Sequence, residues 1–304
     1  MTTASAEPDA TSEPAAVTPG WLPLLAVSVT LVLWASAFVA IRHLAGSYHP
    51  GSMALGRMLI GSLCLGAVAL RGRRSLVRPG RADGVRIVVI GVLWYAVYML
   101  ALNTGERRVD AGTSAMLVQL SPILIAVLAA SFLGERFGRW LALGLGLSFA
   151  GVVVIALGSG SGGGHDLLGI GLCLVSALAY AIALVLQKPL AGRYSAVQLT
   201  WLACTVGAIV MLPWLGQLIG DVRHAPLSST LWVVYLGVFP TAVAFTTYGF
   251  ALQHLSASRL GVSTYLVPVL TVLLAWGILG ETPPAMAYVG GVLALAGVWV
   301  ARRR

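Results

Sequence analysis

Apolar residues are gathered into ten segments that short polar or basic stretches separate. Each segment is near the length of about 17–25 residues that a helix needs to cross the hydrocarbon core of a bilayer. The apolar runs are unbroken, whereas the strands of a membrane barrel would alternate over about ten residues. The sequence therefore predicts an all-α membrane protein with ten transmembrane helices, here called spans 1 to 10, at residues 22–41, 51–70, 84–103, 111–133, 137–157, 167–187, 196–219, 229–250, 257–279 and 284–301.

The second half of the chain repeats the first at a constant shift of 146 residues. The shift maps Gly91 onto Gly237, Pro122 onto Pro268, and the Leu-Gly-Glu triplet at 133–135 onto the one at 279–281. Because one constant shift aligns the two halves along their whole length, the chain is a tandem duplication. Such a repeat has to be identified first, since missing it would lead to the wrong fold. We predict a disordered N-terminal tail at 1–20, a first five-helix repeat at 21–157, a linker at 158–166 and a second five-helix repeat at 167–304.

Five spans per repeat is an odd number, so the second repeat must enter the membrane inverted relative to the first. Basic residues mark the cytoplasmic side of membrane proteins. With both termini in the cytoplasm, cytoplasmic segments hold fourteen Lys or Arg residues and the opposite side holds four, while Arg57 lies within a span. This distribution predicts two inverted repeats and two cytoplasmic termini.

Composition excludes an ordinary soluble domain, because 58% of the residues are apolar, 10% are charged and the mean hydropathy is +0.91. The net charge of +9 comes from residues between apolar spans rather than from a basic face, so no nucleic-acid partner is expected. The three cysteines, Cys64, Cys173 and Cys204, are widely spaced within apolar runs, which indicates buried side chains and no metal site. The Gly-rich linker lacks the Gly-Lys-Ser/Thr of a phosphate loop, and no cofactor is expected. The preference for Arg over the single lysine hints at a GC-rich bacterial genome.

Several short motifs resemble those of one family. They are Trp34-Ala35-Ser36-Ala37-Phe38 in span 1, Arg57 in span 2, Ala111-Gly112-Thr113, Ser121-Pro122 and Leu133-Gly134-Glu135-Arg136. Their order, and ten spans in two inverted halves, resemble the EamA-type transporters of the drug/metabolite transporter superfamily. The resemblance implies a transporter of small metabolites, often an exporter of amino acids or related compounds, with a central cavity between the halves.

On this basis we expect a multi-pass protein of the bacterial cytoplasmic membrane that moves a small-molecule substrate. Membrane lipid surrounds it, and the sequence leaves a monomer and a homo-oligomer both open. Alternating access around a midplane site is the expected mechanism.

The ten acidic residues and five histidines all fall in the tail, the loops or the span ends. A proton-coupled exporter of multidrug or quaternary-ammonium substrates, the first alternative, usually has a carboxylate in mid-membrane. An intramembrane enzyme, the second alternative, needs paired acids or a positioned histidine. We therefore expect no deep carboxylate and no catalytic residue. Glu135 and Glu281, in matching Leu-Gly-Glu turns, are expected to satisfy helix ends or to pair with loop arginines.

Arg57 is the one charged residue that lies deeper in a predicted span than its first or last turn. It is six residues into span 2, about 9 Å along a helix. It is a candidate for binding a substrate carboxylate through two parallel hydrogen bonds. The alternative is that it caps carbonyls of a neighbouring helix or extends toward the interface.

Pro122 and Pro268 occupy matching places in spans 4 and 9, where a proline frees the carbonyl four residues earlier. Paired broken helices often form the substrate site of inverted-repeat transporters, so we predict helix kinks with a gating role, against a packing role alone. Gln119 and Tyr265 are repeat partners three residues before each proline, and with Ser121 they are the predicted polar contacts.

Trp34 and Tyr180 are also repeat partners, each too deep in its span for an interfacial anchor. Tyr95, Tyr98, Trp201 and Tyr248 are further candidates to line the cavity, although helix packing alone would also explain each ring. Together these residues predict a roomy, mostly apolar cavity for neutral or zwitterionic solutes with an apolar part.

Overall fold

The structure is a computed structural model that describes residues 21–71, 76–132, 139–158, 167–190, 193–254, 263–264, 266–301 and 303. The predicted tail and nearly all of the predicted linker lie outside these residues. The described residues form helices and short turns, with no strand among them. This confirms the all-α prediction.

The helices follow the duplicated order of the sequence. In the first repeat they are α1 (Trp21–Leu44), α2 (Pro50–Arg71), α3 (Arg81–Ile90), a π-helical segment (Gly91–Val97), α4 (Tyr98–Gly105), α5 (Ala111–Val118), α6 (Ser121–Phe132) and α7 (Arg139–Gly158). In the second they are α8 (Leu167–Gln187), a 3-10 turn (Lys188–Leu190), α9 (Ala196–Val210), a 3-10 turn (Leu212–Trp214), α10 (Leu215–His224), α11 (Leu227–Leu236), a π-helical segment (Gly237–Val243), α12 (Ala244–His254), α13 (Leu266–Leu279) and α14 (Ala285–Ala301).

Five described helices are long and apolar enough to cross a membrane. They are Trp21–Leu44, Pro50–Arg71, Arg81–Gly105, Leu167–Leu190 and Leu227–Ala251, and the bent pair Ala196–Val210 with Leu212–His224 would be a sixth. Large apolar side chains face outward on these and on the shorter helices, including Leu63, Phe149, Leu227 and Val292. The chain is therefore a multi-pass membrane protein.

Predicted span 7, at 196–219, is not one straight helix in the structure. Helix α9 ends at Val210, and the chain bends by 54° before α10. Pro213 cannot donate a backbone hydrogen bond at this point, which favours the bend. Gly51 of α2 leaves the space that Trp214 fills, because a Cβ there would lie 2.1 Å from Cδ1 of the indole.

The two π-helical segments occupy equivalent positions, since 91–97 shifted by 146 residues gives 237–243. Each begins with a glycine that is packed tightly against the other repeat. A Cβ on Gly91 would lie 2.6 Å from Cβ of Val206, and a Cβ on Gly237 would lie 2.6 Å from Cβ of Ile60. Ile60 and Val206 are themselves repeat partners, so the same glycine contact occurs once in each half of the fold. Such π segments are often found at functional sites.

Several residues contact their own repeat partners, which places them beside an approximate two-fold axis. The Oγ of Ser148 in α7 donates to the carbonyl of Ala294 in α14 at 2.9 Å. The Sγ of Cys204 in α9 lies 3.8 Å from Sδ of Met58 in α2. Both pairs are separated by 146 residues, so α7 with α14 and α2 with α9 pair across this axis.

Small residues allow the close approach of α7 and α14. A Cβ on Gly151 would lie 2.5 Å from the carbonyl oxygen of Gly290, and one on Gly297 would lie 2.4 Å from Oγ of Ser148. Because lipid chains are as apolar as the helices, helix pairing in membranes depends on such close packing and on hydrogen bonds between helices.

We predict that Gly151→Val destabilises the protein, because its side chain would meet the backbone of α14, which cannot rotate away. Overpacking of this kind costs about 1–3 kcal/mol. The measurement is the unfolding temperature of the detergent-purified protein. Gly146→Val is the matched control in the same helix, because a Cβ there meets nothing within 4 Å. Equal unfolding temperatures for the two variants would contradict the close-packed interface.

Candidate functional site

A cavity of about 410 Å³ lies between the repeats. This volume is within the range of small-molecule sites, about 300–1,000 Å³. Its lining comes from α1, α2, the first π segment, α4, α5, α6, α8, α12 and the start of α13.

Much of the lining consists of repeat partners. In seven pairs separated by 146 residues, both members reach the cavity: Trp34 and Tyr180, Phe38 and Leu184, Ile41 and Gln187, Met99 and Phe245, Leu102 and Tyr248, Val118 and Thr264, and Ser121 and Val267. The cavity therefore lies across the approximate two-fold axis, where inverted-repeat transporters form their sites.

Six aromatic rings form one wall, which we call the aromatic wall: Trp34, Trp94, Tyr98, Tyr180, Phe245 and Tyr248. The centroid of Trp34 is 5.0 Å from that of Tyr248, and the centroid of Trp94 is 4.9 Å from that of Tyr180 and 5.1 Å from that of Phe245. These distances are typical of stabilising aromatic pairs, so the wall is a continuous packed surface.

Arg57 lines the cavity, although only 3% of the residue is exposed. Its Nε donates to Oγ1 of Thr241 at 2.7 Å, and within the described chain this is its only hydrogen bond. Neither alternative from the sequence fits this geometry, because the partner is a hydroxyl and the side chain is buried. In the described chain the two terminal nitrogens of the guanidinium have no hydrogen-bond partner.

The break in the second π segment fixes this orientation. Pro240 has no backbone N–H, so the carbonyl of Leu236 lacks the donor of an ordinary helix. The hydroxyl of Thr241 donates to that carbonyl at 2.9 Å and accepts the bond from Arg57. One threonine thus satisfies the broken helix and directs the arginine.

A second break lies in predicted span 4. Helix α5 ends at Val118 and α6 begins at Ser121, next to Pro122. The Nε2 of Gln119 donates to the carbonyl of Thr264, which also accepts from the backbone N–H of Val267 at 3.0 Å because Pro268 has no N–H to offer. A side chain of one repeat therefore hydrogen-bonds the backbone of the other.

The structure brings together most of the predicted site residues. Those that line the cavity are Trp34, Arg57, Tyr98, Gln119, Ser121, Tyr180, Tyr248 and Pro122. Tyr95 instead packs against Gly207, Trp201 packs against Gly66, and Pro268 is buried within α13 without reaching the cavity. Tyr265 lies outside the described residues.

Sixteen of the 24 lining residues were not predicted from the sequence, among them Trp94, Phe245 and Lys188. Trp94 precedes the predicted Tyr98 by one turn, which was a signal for it, while Phe245 is the repeat partner of Met99, which was not itself predicted. Trp94 lies within the first π segment and Phe245 lies two residues after the second, and a π turn changes which side chains share a helix face.

The two ends of the cavity differ. Gln187 and the exposed Lys188 form what we call the open end. At the opposite, closed end, Ile41 and Leu102 are almost fully buried.

An ion pair lies beyond the closed end. Arg42 contacts Glu281 through Nη2 at 2.8 Å, and its Nη1 donates to the carbonyl of Glu106 at 2.9 Å. Glu281 thus pairs with an arginine, as predicted, but Arg42 lies in the last turn of α1 rather than in a loop. Glu135 lies outside the described residues.

The charges of the lining are both positive, from Arg57 and Lys188, and the described lining includes no Asp or Glu. However, the expectation that no acid is deeply buried is wrong. Glu106 follows α4 at the end of predicted span 3, and none of its surface is exposed. Neighbouring helices cover it, which a position at a span end does not reveal.

Comparison with known proteins gives one family. The EamA-like transporter family matches the chain twice, over residues 21–157 and 167–303. A protein of Streptantibioticus cattleyicolor named as a probable terminal-alkyne amino-acid exporter is 34% identical over 279 residues, which are 92% of this chain and 93% of that protein. An uncharacterized transporter of Bacillus subtilis, YdfC, is 34% identical over 277 residues, 90% of this chain and 89% of its own.

The solved structures that resemble the fold include one crystal structure that illustrates the likeness. It has a TM-score of 0.62 and 23% sequence identity, and the match covers 92% of this chain and 96% of the other. At this identity the likeness concerns the fold alone.

We predict that Gln187→Cys reacts with a bulky hydrophilic maleimide about tenfold or more faster than Ile41→Cys, because only the first lies at the open end. The two positions are repeat partners, so each serves as the matched control for the other. Both are placed in a Cys64→Ser background, since Cys64 is the one partly exposed cysteine. Equal rates in the purified protein would show that the two ends are equally accessible.

Proposed function

Because the chain belongs to the EamA-like transporter family, and is thus a membrane transporter rather than an enzyme, we propose that it exports amino acids or related small carboxylates. The membrane would be the bacterial cytoplasmic membrane, and the mechanism would be alternating access around the cavity.

Arg57 carries this proposal. A buried guanidinium with two unoccupied nitrogens is suited to a carboxylate, which it binds through two parallel charge-assisted hydrogen bonds. In a lining without acids, a carboxylate would neutralise a charge that is otherwise costly to bury.

The aromatic wall supports an apolar side chain on the solute. The faces of Trp34 and Trp94 offer apolar contact, while the amide of Gln119 and the hydroxyl of Ser121 offer polar contacts for an amino group. The name of the Streptantibioticus relative, an exporter of amino acids with an apolar alkyne, agrees with this chemistry. The proposed substrates are therefore amino acids with apolar or aromatic side chains.

One observation favours the rival function, export of a lipophilic or quaternary-ammonium cation, because aromatic faces attract cations. The charges oppose it. Arg57 and Lys188 would repel a cation from the lining, and the buried Glu106 lies outside the lining.

Alternating access is supported by the asymmetry between the ends and by the broken helices. The Arg42–Glu281 ion pair lies beyond one end, while Lys188, the repeat partner of Arg42, is exposed at the other. The breaks at Gln119 and in the two π segments are places where helices can bend with little loss of hydrogen bonds. We propose that the halves rock about these points.

We also propose ten spans with both termini in the cytoplasm, so that the open end faces the cytoplasm. The shorter apolar helices α5 with α6, α7, α13 and α14 would complete the spans that length alone does not identify. The basic residues between spans 2 and 3 support this orientation.

We predict that Arg57→Gln raises the KM for phenylalanine or leucine by about 10- to 100-fold, because a hydrogen bond to a charged group contributes about 1.5–3 kcal/mol. The measurement is counterflow in liposomes reconstituted with the purified protein. Propargylglycine, a terminal-alkyne amino acid, is tested as a further substrate. The carboxamide of each amino acid lacks the carboxylate and should not be transported. Arg223→Gln, an exposed arginine of α10, is the matched control.

Two results would reject this function. Equal transport of an amino acid and its carboxamide would remove the carboxylate from recognition. Movement of tetraphenylphosphonium driven by a pH gradient, with no amino-acid flux, would favour the cation exporter.

We predict that an impermeant maleimide added to whole cells labels Leu227→Cys but not Val77→Cys. Both side chains are largely exposed, at 74% and 50%, so the difference reports the side of the membrane. Both sites should react after the cells are broken. Labelling of Val77→Cys alone in whole cells would reverse the proposed orientation.

A further inference from the structure

Glu106 is a fully buried carboxyl group without a hydrogen-bond partner. In the described chain neither Oε1 nor Oε2 has a donor within reach. Asn103, one turn earlier on α4, donates from Nδ2 to the carbonyl of Pro50 at 3.1 Å, but its buried Oδ1 also has no donor. Two acceptor groups on the same face of one helix therefore lack a hydrogen.

Charged and titratable groups face Glu106 from every side. They are Arg42 of α1, Arg57 of α2, Tyr98 of α4, Asp110 at the start of α5, Cys173 of α8, and Glu281 after α13. The guanidinium of Arg42 bonds the backbone carbonyl of Glu106, while its ion pair is with Glu281. The carboxyl group of Glu106 thus lies beside an arginine that another acid already holds.

An ionised carboxylate in this position would be both desolvated and without a hydrogen bond, which is strongly unfavourable. A proton removes the charge and adds the donor that the two acceptor groups lack. In agreement, burial raises the pKa of Glu106 well above its ordinary value, and Glu281 and Asp110 raise it further, while Arg42 and Arg57 oppose the shift.

We propose that Glu106 is a proton-binding site of the transporter, and that its proton stabilises the closed end of the cavity. This inference rests on the proposed alternating access. When the proton leaves to the solution on that side, the carboxylate competes with Glu281 for Arg42. The Arg42–Glu281 pair then weakens and the closed end opens. No other bond is made or broken.

The pH dependence follows from linkage. The closed state holds the proton more tightly, so it is fully stable at pH values below the pKa that Glu106 has in the open state. As the pH rises above that value, the closed state loses up to about tenfold in population per pH unit, until the raised pKa of the closed state is passed. Alkaline pH therefore favours opening.

Access to Leu44, which is fully buried beyond the closed end, tests this proposal. Leu44→Cys in a Cys64→Ser background is labelled in whole cells with an impermeant maleimide between pH 5 and 9. This range begins above the ordinary pKa of a glutamate and so covers a raised one. Rates are divided by those of the exposed Leu227→Cys at the same pH, which removes the pH dependence of the thiol reaction.

The normalised rate should rise with pH by tenfold or more with Glu106 present, and should be low and constant in Glu106→Gln, which mimics the protonated acid. Asp83→Asn is the matched control, because Asp83 bonds Arg193 and Tyr194, far from this cluster. The same rise in Glu106→Gln as in the parent would overturn the proposal.

A second measurement covers the case in which Glu106→Gln does not fold. Infrared spectra of the parent protein with ¹³C-labelled glutamate should show a protonated carboxyl band at neutral pH that shifts with the label and titrates at alkaline pH. Absence of the band, or a band that never titrates, would overturn the proposal. Neither experiment uses a substrate, so a failure to transport amino acids would leave this test intact.

Discussion

The constraint on which the rest depends is that the membrane offers no water to the backbone, so each peptide group must find its partner within the protein. Most of the chain meets it with unbroken helices. Where Pro240 interrupts a helix, the hydroxyl of Thr241 supplies the missing donor to Leu236. Near Pro268, the amide of Gln119 adds a hydrogen bond from the other repeat to the carbonyl of Thr264. Gln119 lines the cavity, and Thr241 holds Arg57, which also lines it. The same side chains therefore hydrogen-bond backbone carbonyls and help to form the cavity.

Much of the fold follows from the sequence because hydrophobicity and duplication are both one-dimensional patterns. The helices of spans 1, 2, 3, 6 and 8, and the shared shift of 146 residues, needed no knowledge of packing. The bend after Val210 needed more, because it depends on how Trp214 fits against Gly51.

The site was partly predictable for the same reason. Trp34 and Tyr180 follow from depth and from the repeat, and Gln119 follows from its distance to a proline. Trp94 and Phe245 could not be predicted, because the π segments change which face of the helix points into the cavity. Glu106 could not be predicted either, since its burial is produced by helices that are distant in sequence.

The approximate symmetry of the scaffold contrasts with the chemistry placed on it. Arg57 has Ala203 as its repeat partner, so the guanidinium occurs once in a frame that is built twice. Two identical five-helix subunits would have been obliged to bring two arginines to the same axis, with their like charges facing each other across a dry space. Joining the halves in one polypeptide removed that obligation. A single chain can therefore carry one guanidinium on one side of an otherwise nearly symmetric cavity.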